Sequence, residues 1–358
     1  MKFKKICALF ALFSLCFTAA LCSCAAVSEE QAYLESIAFP RCELAEGEVS
    51  YVGRWFEEEI GGVPHMVTVN DGSQMFFMTE GASAAEIEFT VITEKETPYF
   101  AWSIDGGDFV RQEITSPRIP LDGERHVVRV VVDSIADSED KWGGKGGVAV
   151  RGVKTVGGTL RAVLPKNKKL MFFGDSITEG GRVFDAVGSA PSMSVTNAYP
   201  QYCARALGAI DLNVGYCASG IFERGSFATC LETIDRMTQT IYCDDADVPD
   251  MIVLNHGTND IFYGSAEFRT GYAKVLLRLQ QKYVGRPIVC MIPFNQKHAN
   301  DIRIVAAAFD NCFVVETEGW PLTFTDGLHP DVNGSKVAGA ALAEALTDIF
   351  GEEFFDAE

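Results

Sequence analysis

The chain has 358 residues, 49 acidic against 30 basic side chains for a formal charge of −19, and 47% hydrophobic residues. That composition suits packed globular structure, and the length exceeds what one hydrophobic core usually serves, so two domains are expected. A surface this acidic repels phosphate backbones and anionic lipid headgroups, which argues against a nucleic-acid partner.

At the N-terminus Lys2, Lys4 and Lys5 precede an uncharged apolar run from Ile6 to Leu21, short for a membrane span and ordered like an export signal. The run ends in Leu21-Cys22-Ser23-Cys24, which resembles the lipobox of bacterial lipoproteins. The resemblance implies removal of residues 1–23, acylation of Cys24, and an exported protein at the bacterial surface or facing the periplasm that touches membrane only through its lipid. A plain secretory cut nearby is the alternative. Residues 24–39, small, polar and acidic at first, read as a tether. Of eleven cysteines, Cys7, Cys16, Cys22 and Cys24 belong to this leader, leaving Cys42, Cys203, Cys217, Cys230, Cys243, Cys290 and Cys312. Seven cannot all pair internally, and none stands in a C-x-x-C spacing, so zinc and redox readings are weak and small buried hydrophobes are expected.

Residues 40–164 follow a strand grammar. Apolar residues alternate from Glu86 to Ile92 and from Tyr99 to Asp105, the period of a half-buried strand, and Asp105 to Asp108 supplies a turn. The β-branched run His126–Val132 and the stretch Gly146–Gly152 continue the pattern. A smaller antiparallel β-sandwich is expected here.

From 165 to 358 apolar strands alternate with helical stretches, the sign of an α/β domain with a mostly parallel sheet covered on both faces. The clearest strands are 169–173, 250–254, 287–292 and 312–315; residues 266–283 are helical in composition, and Val337, Ala341, Ala345 and Ile349 line one face of a C-terminal helix.

The residues that carry chemistry stand at the ends of those strands, where open α/β sheets build their sites. Gly174-Asp175-Ser176-Ile177-Thr178 must turn sharply and present Ser176 near backbone amides, although an ordinary helix cap would use the same residue types. Serine needs a base, and Asp326-Gly327-Leu328-His329 offers one, the carboxylate and imidazole three residues apart on one turn. Read singly, His329 before Pro330 is equally a cap for the next helix. Gly257-Thr258-Asn259-Asp260 follows another strand and brings the Asn259 amide to the same rim. In Asn213–Gly220 the final glycine offers an unobstructed amide, or is only a turn.

In this order the four pieces resemble the blocks of the SGNH hydrolase superfamily, the GDSL-type esterases, over roughly residues 166–350. The resemblance implies a flavodoxin-like three-layer domain in which Ser176 is the nucleophile, His329 the base and Asp326 its orienting group. The oxyanion would be held by the amides of Ser176 and Gly220 and by Asn259, with no cofactor and no metal. The second block departs from the pattern, because extra residues separate Gly215 from Gly220. His256 faces the pocket or is structural. Gly53-Arg54-Trp55, the strand end Ser103–Gly106 and Gly123–His126 resemble the jelly-roll module of carbohydrate esterase family two, which deacetylates plant cell-wall sugars. That implies acetylated carbohydrate as substrate, an acyl-enzyme intermediate and no obligate protein partner. Trp55, Trp102 and Trp142 are sugar-stacking candidates or core. A lipase or phospholipase of the same type, or a non-catalytic glycan-binding surface lipoprotein, are the competing readings.

Overall fold

The computed structural model describes residues 28–225, 228–243 and 247–356; the leader, Cys24 and its expected acylation lie outside them. Part of the segment expected as a tether is helical. Ser28 Oγ accepts from the Gln31 amide and starts a helix, Glu29–Ser36. That helix is held down by two residues: Leu34 is buried in the core, and the Tyr33 hydroxyl donates to Asp105 at 2.9 Å. The strand Cys42–Leu44 then pairs with Thr159–Pro165.

The N-terminal domain is a sandwich of a seven-stranded and a five-stranded sheet. At the centre of the larger sheet, His126–Ser134 lies antiparallel between Gln74–Glu80 and Tyr99–Ile104. The smaller sheet is centred on Val148–Thr155, flanked by Val63–Thr68 and Ala84–Val91. Met75, Phe77, Phe100, Trp102, Val128, Val130 and Val132 pack inward against Ala85, Ile87, Val148 and Val150. The opposite face of the larger sheet is also covered: Phe76, Met78 and Val127 share a core with Ile210, Leu212 and Phe173 of the C-terminal domain. Burial on both faces explains why His126–Ser134 reads as a β-branched run and not an alternation. Trp55, Trp102 and Trp142 are all buried, with exposures of 5%, 9% and 7%, so none presents a free ring face to a sugar.

The C-terminal domain carries the α/β fold that the sequence implies. Five parallel strands, Lys169–Gly174, Ile210–Gly215, Met251–Asn255, Ile288–Met291 and Cys312–Val315, lie in the order second, first, third, fourth, fifth. Helices Tyr199–Ala206 and Val332–Phe350 cover one face, while Ser265–Lys282 and Ala299–Ala306 cover the other. In the last helix the buried stripe is Ala338, Leu342 and Leu346, one position on from the stripe expected, and Val337, Ala341, Ala345 and Ile349 flank it. Gly339 sets this rotation, since a Cβ there would fall 2.5 Å from Tyr202 Cβ. Close approach to the neighbouring helix matters more than the apolar count.

The domain interface is polar at several points. Arg129 projects from the sandwich to Asp211 at 2.8 Å and to Gln74 at 2.9 Å, and Arg111 reaches Asp133 and the carbonyls of Ala190 and Met193. Such pairs cost desolvation but fix orientation, and here they hold the sandwich against the rim that carries Ser176.

Candidate active site

The first parallel strand ends at Gly174, where a side chain would collide with Thr178 Oγ1 at 2.0 Å. Glycine therefore lets the chain double back. Asp175 caps the four-residue helix Ser176–Glu179, its Oδ1 accepting from the Ile177 amide at 2.9 Å. Ser176 Oγ then lies 2.8 Å from His329 Nε2, and His329 Nδ1 lies 2.8 Å from Asp326 Oδ2. The other Asp326 oxygen accepts the amides of His329 at 2.8 Å and Leu328 at 3.0 Å, which locks the turn between the two side chains. Serine, histidine and aspartate from two distant segments thus form one hydrogen-bonded line.

The electrostatics suit proton transfer from serine. Burial depresses His329 below its ordinary value, against the pull of Asp326. Burial opposes ionisation of Asp326, but the His329 and Leu328 amides and the His329 side chain outweigh it and hold the carboxyl at about 2. Near neutral pH the imidazole is uncharged and its partner ionised, the state in which Nδ1–H donates to Asp326 and Nε2 accepts. Because the uncharged imidazole is the active form, kcat/KM is expected to fall as pH falls, with its acid limb below about 6.5. A pH profile on p-nitrophenyl acetate checks this. A limb at or above neutrality would report another group, Asp175 foremost, whose carboxyl is pushed up to about 7 by burial and by nearby Asp260.

The third strand delivers Asn259 to the same rim. Its Nδ2 donates to the Ser219 carbonyl at 2.9 Å and, at a longer 3.4 Å, to Asp175 Oδ2, which together fix the amide plane at the rim. Asp260 is fully buried and accepts the amides of Ile221 and Phe222 at 2.8 Å and of Glu223 at 3.1 Å, tying two rim loops together. Gly220 does not hold the position expected of it. Its amide is spent on the Glu223 carbonyl at 2.8 Å, and a Cβ there would meet Asp260 at 2.6 Å, so it is glycine for packing and supplies no oxyanion donor. The extra residues after Gly215 cause this by carrying Gly220 past the strand end. In that turn, among the described residues, the amides of Cys217 and Ala218 find no acceptor, and Ala218 adopts a left-handed φ of 57°. His256 is buried and pushed down to about 4 by burial, and its ring meets the Ser219 backbone, so it is an uncharged structural residue.

Three further groups at the site carry no motif. Arg182, at a left-handed φ of 58°, places its guanidinium 3.6 Å from Asp326 Oδ2 and 3.9 Å from Asp137 Oδ2. Asp137 comes from the sandwich domain, so both domains contribute to the surroundings of His329. Behind the nucleophile, buried Lys141 of the sandwich bridges Asp71 at 2.8 Å and Glu179 at 2.5 Å, and Glu179 is the last residue of the Ser176 helix. No local signal in the sequence marks these residues, because each acts across the domain boundary.

The GDSL-like lipase/acylhydrolase family model matches residues 172–337, the stretch that contains every one of these strand-end groups except the sandwich residues. Over those residues the C-terminal domain resembles a GDSL-like lipase/acylhydrolase domain. This GDSL-like domain and its sandwich together have the fold of known two-domain enzymes. A family two carbohydrate esterase from Cellvibrio japonicus aligns with 88% of this chain and 98% of its own, at a TM-score of 0.69 and 15% identity. An acetyl xylan esterase from the rumen bacterium Butyrivibrio proteoclasticus aligns with 87% of this chain and 97% of its own, at 0.70 and 17%. A family two carbohydrate esterase from Clostridium thermocellum, solved in complex with cellohexaose, aligns with 85% and 99%, at 0.67 and 18%. At such identities the likeness is one of fold. Among curated proteins no sequence matches the chain.

Proposed function

We propose that this GDSL-type protein is a carbohydrate esterase that removes short acyl groups, acetyl foremost, through an acyl-enzyme on Ser176. The observation that carries the reading is the continuous line from Ser176 Oγ to His329 to Asp326, with both contacts at 2.8 Å. His329 Nε2 takes the Ser176 proton as Oγ attacks the acyl carbonyl carbon. The oxyanion that forms is stabilised by the Ser176 amide and by the Asn259 side-chain amide, whose N–H exchanges its long 3.4 Å contact with Asp175 for the oxyanion. His329 then gives its proton to the sugar oxygen as the ester bond breaks, and water, deprotonated by the same imidazole, releases the acid. Whole-chain likeness in fold to family two carbohydrate esterases and an acetyl xylan esterase supports carbohydrate as the alcohol side. The acidic surface disfavours anionic lipid, which weighs against the lipase reading.

The test has two arms. Activity on p-nitrophenyl esters is expected to fall steeply from acetate to butyrate to octanoate, and acetate is expected from acetylated xylan, mannan or amino-sugar polymer above a Ser176→Ala blank. Faster cleavage of octanoate, with no acetate from any glycan, would replace this reading with a lipase.

We further propose that the protein is exported and anchored through an acylated Cys24. Among the described residues no helix is long and apolar enough to cross a membrane. The wild type is expected to partition into detergent and Cys24→Ser into the aqueous phase. Mature protein that begins at another residue and stays in water would refute the anchor while sparing export.

A further inference from the structure

Behind the nucleophile, three side chains from three separate segments converge at a point that the esterase chemistry does not use. Asp137 comes from the sandwich, Glu179 from the end of the Ser176 helix and Cys217 from the turn after the second parallel strand. A carboxylate oxygen of each acid and the Cys217 sulfur all lie within 4.8 Å of one another. We infer that Asp137, Glu179 and Cys217 form a binding site for a thiophilic divalent cation, with zinc the best fit to this donor set.

The acidic cluster alone would not carry this. Lys141 occupies only Glu179 Oε1, at 2.5 Å, and Glu179 Oε2 has no hydrogen-bond partner although the residue is 1% exposed. Both Asp137 oxygens are likewise shielded from solvent, with the Cys217 thiol as a weak donor beside them and the Arg182 guanidinium no nearer than 3.9 Å. Buried carboxylate oxygens without strong donors are costly, so a native fold that keeps them together calls for a cation or a proton between them. The charge count points the same way. Asp71, Asp137 and Glu179 face Lys141 and Arg182, and Arg182 also serves Asp326. A buried negative excess remains, which a dication on two carboxylates and one thiolate would remove.

Two oxygens and one sulfur suit zinc better than the hard cations magnesium or calcium, which avoid thiolate. Ligand bonds of about 2.0–2.3 Å need only small side-chain movements to draw these atoms together, and a water would complete a tetrahedron. On binding, the Cys217 thiol gives up its proton to solvent as the metal–sulfur bond forms. The ion would fasten the sandwich to the end of the Ser176 helix and to the following turn, a structural clamp that touches no reacting atom.

The experiment uses full-length, untagged protein freed of metal by chelation and titrated with zinc alone in a calorimeter. One equivalent is expected to bind, with a rise in melting temperature that grows with zinc concentration. Cys217→Ser and Asp137→Asn are each expected to weaken binding by at least roughly tenfold. Cobalt in place of zinc should give a sulfur-to-cobalt charge-transfer absorption that Cys217→Ser abolishes. Absence of saturable binding to the wild type overturns the site and leaves a shared proton between Asp137 and Glu179 as the bridge. Binding that neither variant changes overturns it as well, by placing the ion elsewhere. Should a variant fail to fold, a wild-type cobalt spectrum without the charge-transfer band is itself a refutation. None of these readouts depends on esterase activity, so the site and the proposed function stand or fall separately.

Discussion

Ser176→Ala and His329→Ala are each expected to lower turnover of p-nitrophenyl acetate by roughly four to six orders of magnitude. The reason lies in the geometry. Ser176 Oγ has one base within reach, His329 Nε2 at 2.8 Å, and that imidazole is turned toward it by a single carboxylate. Alanine at 176 removes the atom that attacks, and alanine at 329 leaves a hydroxyl with nothing to take its proton. Because the two groups act as a unit, the double variant should lose little more than either single variant. Both side chains are buried, so a melting curve on each variant is needed to separate catalytic from structural loss. A drop of less than about tenfold for either residue, in folded protein, would remove it from the reaction.

Lys141→Met is expected to cost about 3–5 kcal/mol of stability, the range for stripping one partner from a buried ion cluster. Lys141 is 1% exposed and lies between Asp71 and Glu179, whose side chains have no exposure at all. Burial already raises both carboxyls, Asp71 to about 6, and Lys141 is what pulls them back. Without it they bind protons more tightly in the folded than in the unfolded chain. A carboxyl raised in this way weakens the fold as pH rises from its unfolded value of about 4, so the deficit should be large at neutral pH and shrink toward acid. Adding Asp71→Asn to Lys141→Met should recover part of the loss by removing one orphaned charge. Denaturant melts at two pH values check this. A deficit below about 1 kcal/mol at neutral pH would show that the cluster is solvated or relaxes freely.

Most of the fold and the centre of the site could be read from the chain, since they rest on local signals. Parallel strands show as short apolar runs, the Ser176 segment sits just past a strand end, and Asp326–His329 follows the last strand, where its neighbours in sequence already suggest a turn. What could not be read depends on contacts between distant segments. Gly220 illustrates this: the resemblance implied a donor, but the extra residues after Gly215 turn its amide toward Glu223. The stripe of the last helix moved by one position because Gly339 packs against the helix at Tyr202, a demand that apolar periodicity does not record. Leu34 and Tyr33 hold in the fold a stretch that its composition marked as a tether. Asp137 and Lys141 reach the site only once the two domains are docked, and Arg182 meets Asp326 from a segment far away in sequence, so no spacing rule links these residues.

The most direct test of the central claim is labelling with a fluorophosphonate probe, which forms a stable bond only with an activated serine. Intact-mass measurement followed by peptide mapping is expected to show one adduct, on Ser176, with none on Ser176→Ala and strongly slowed labelling of His329→Ala. A wild-type protein that stays unlabelled, or carries the adduct on another residue, would contradict the account and favour a glycan-binding protein that keeps the fold without the chemistry.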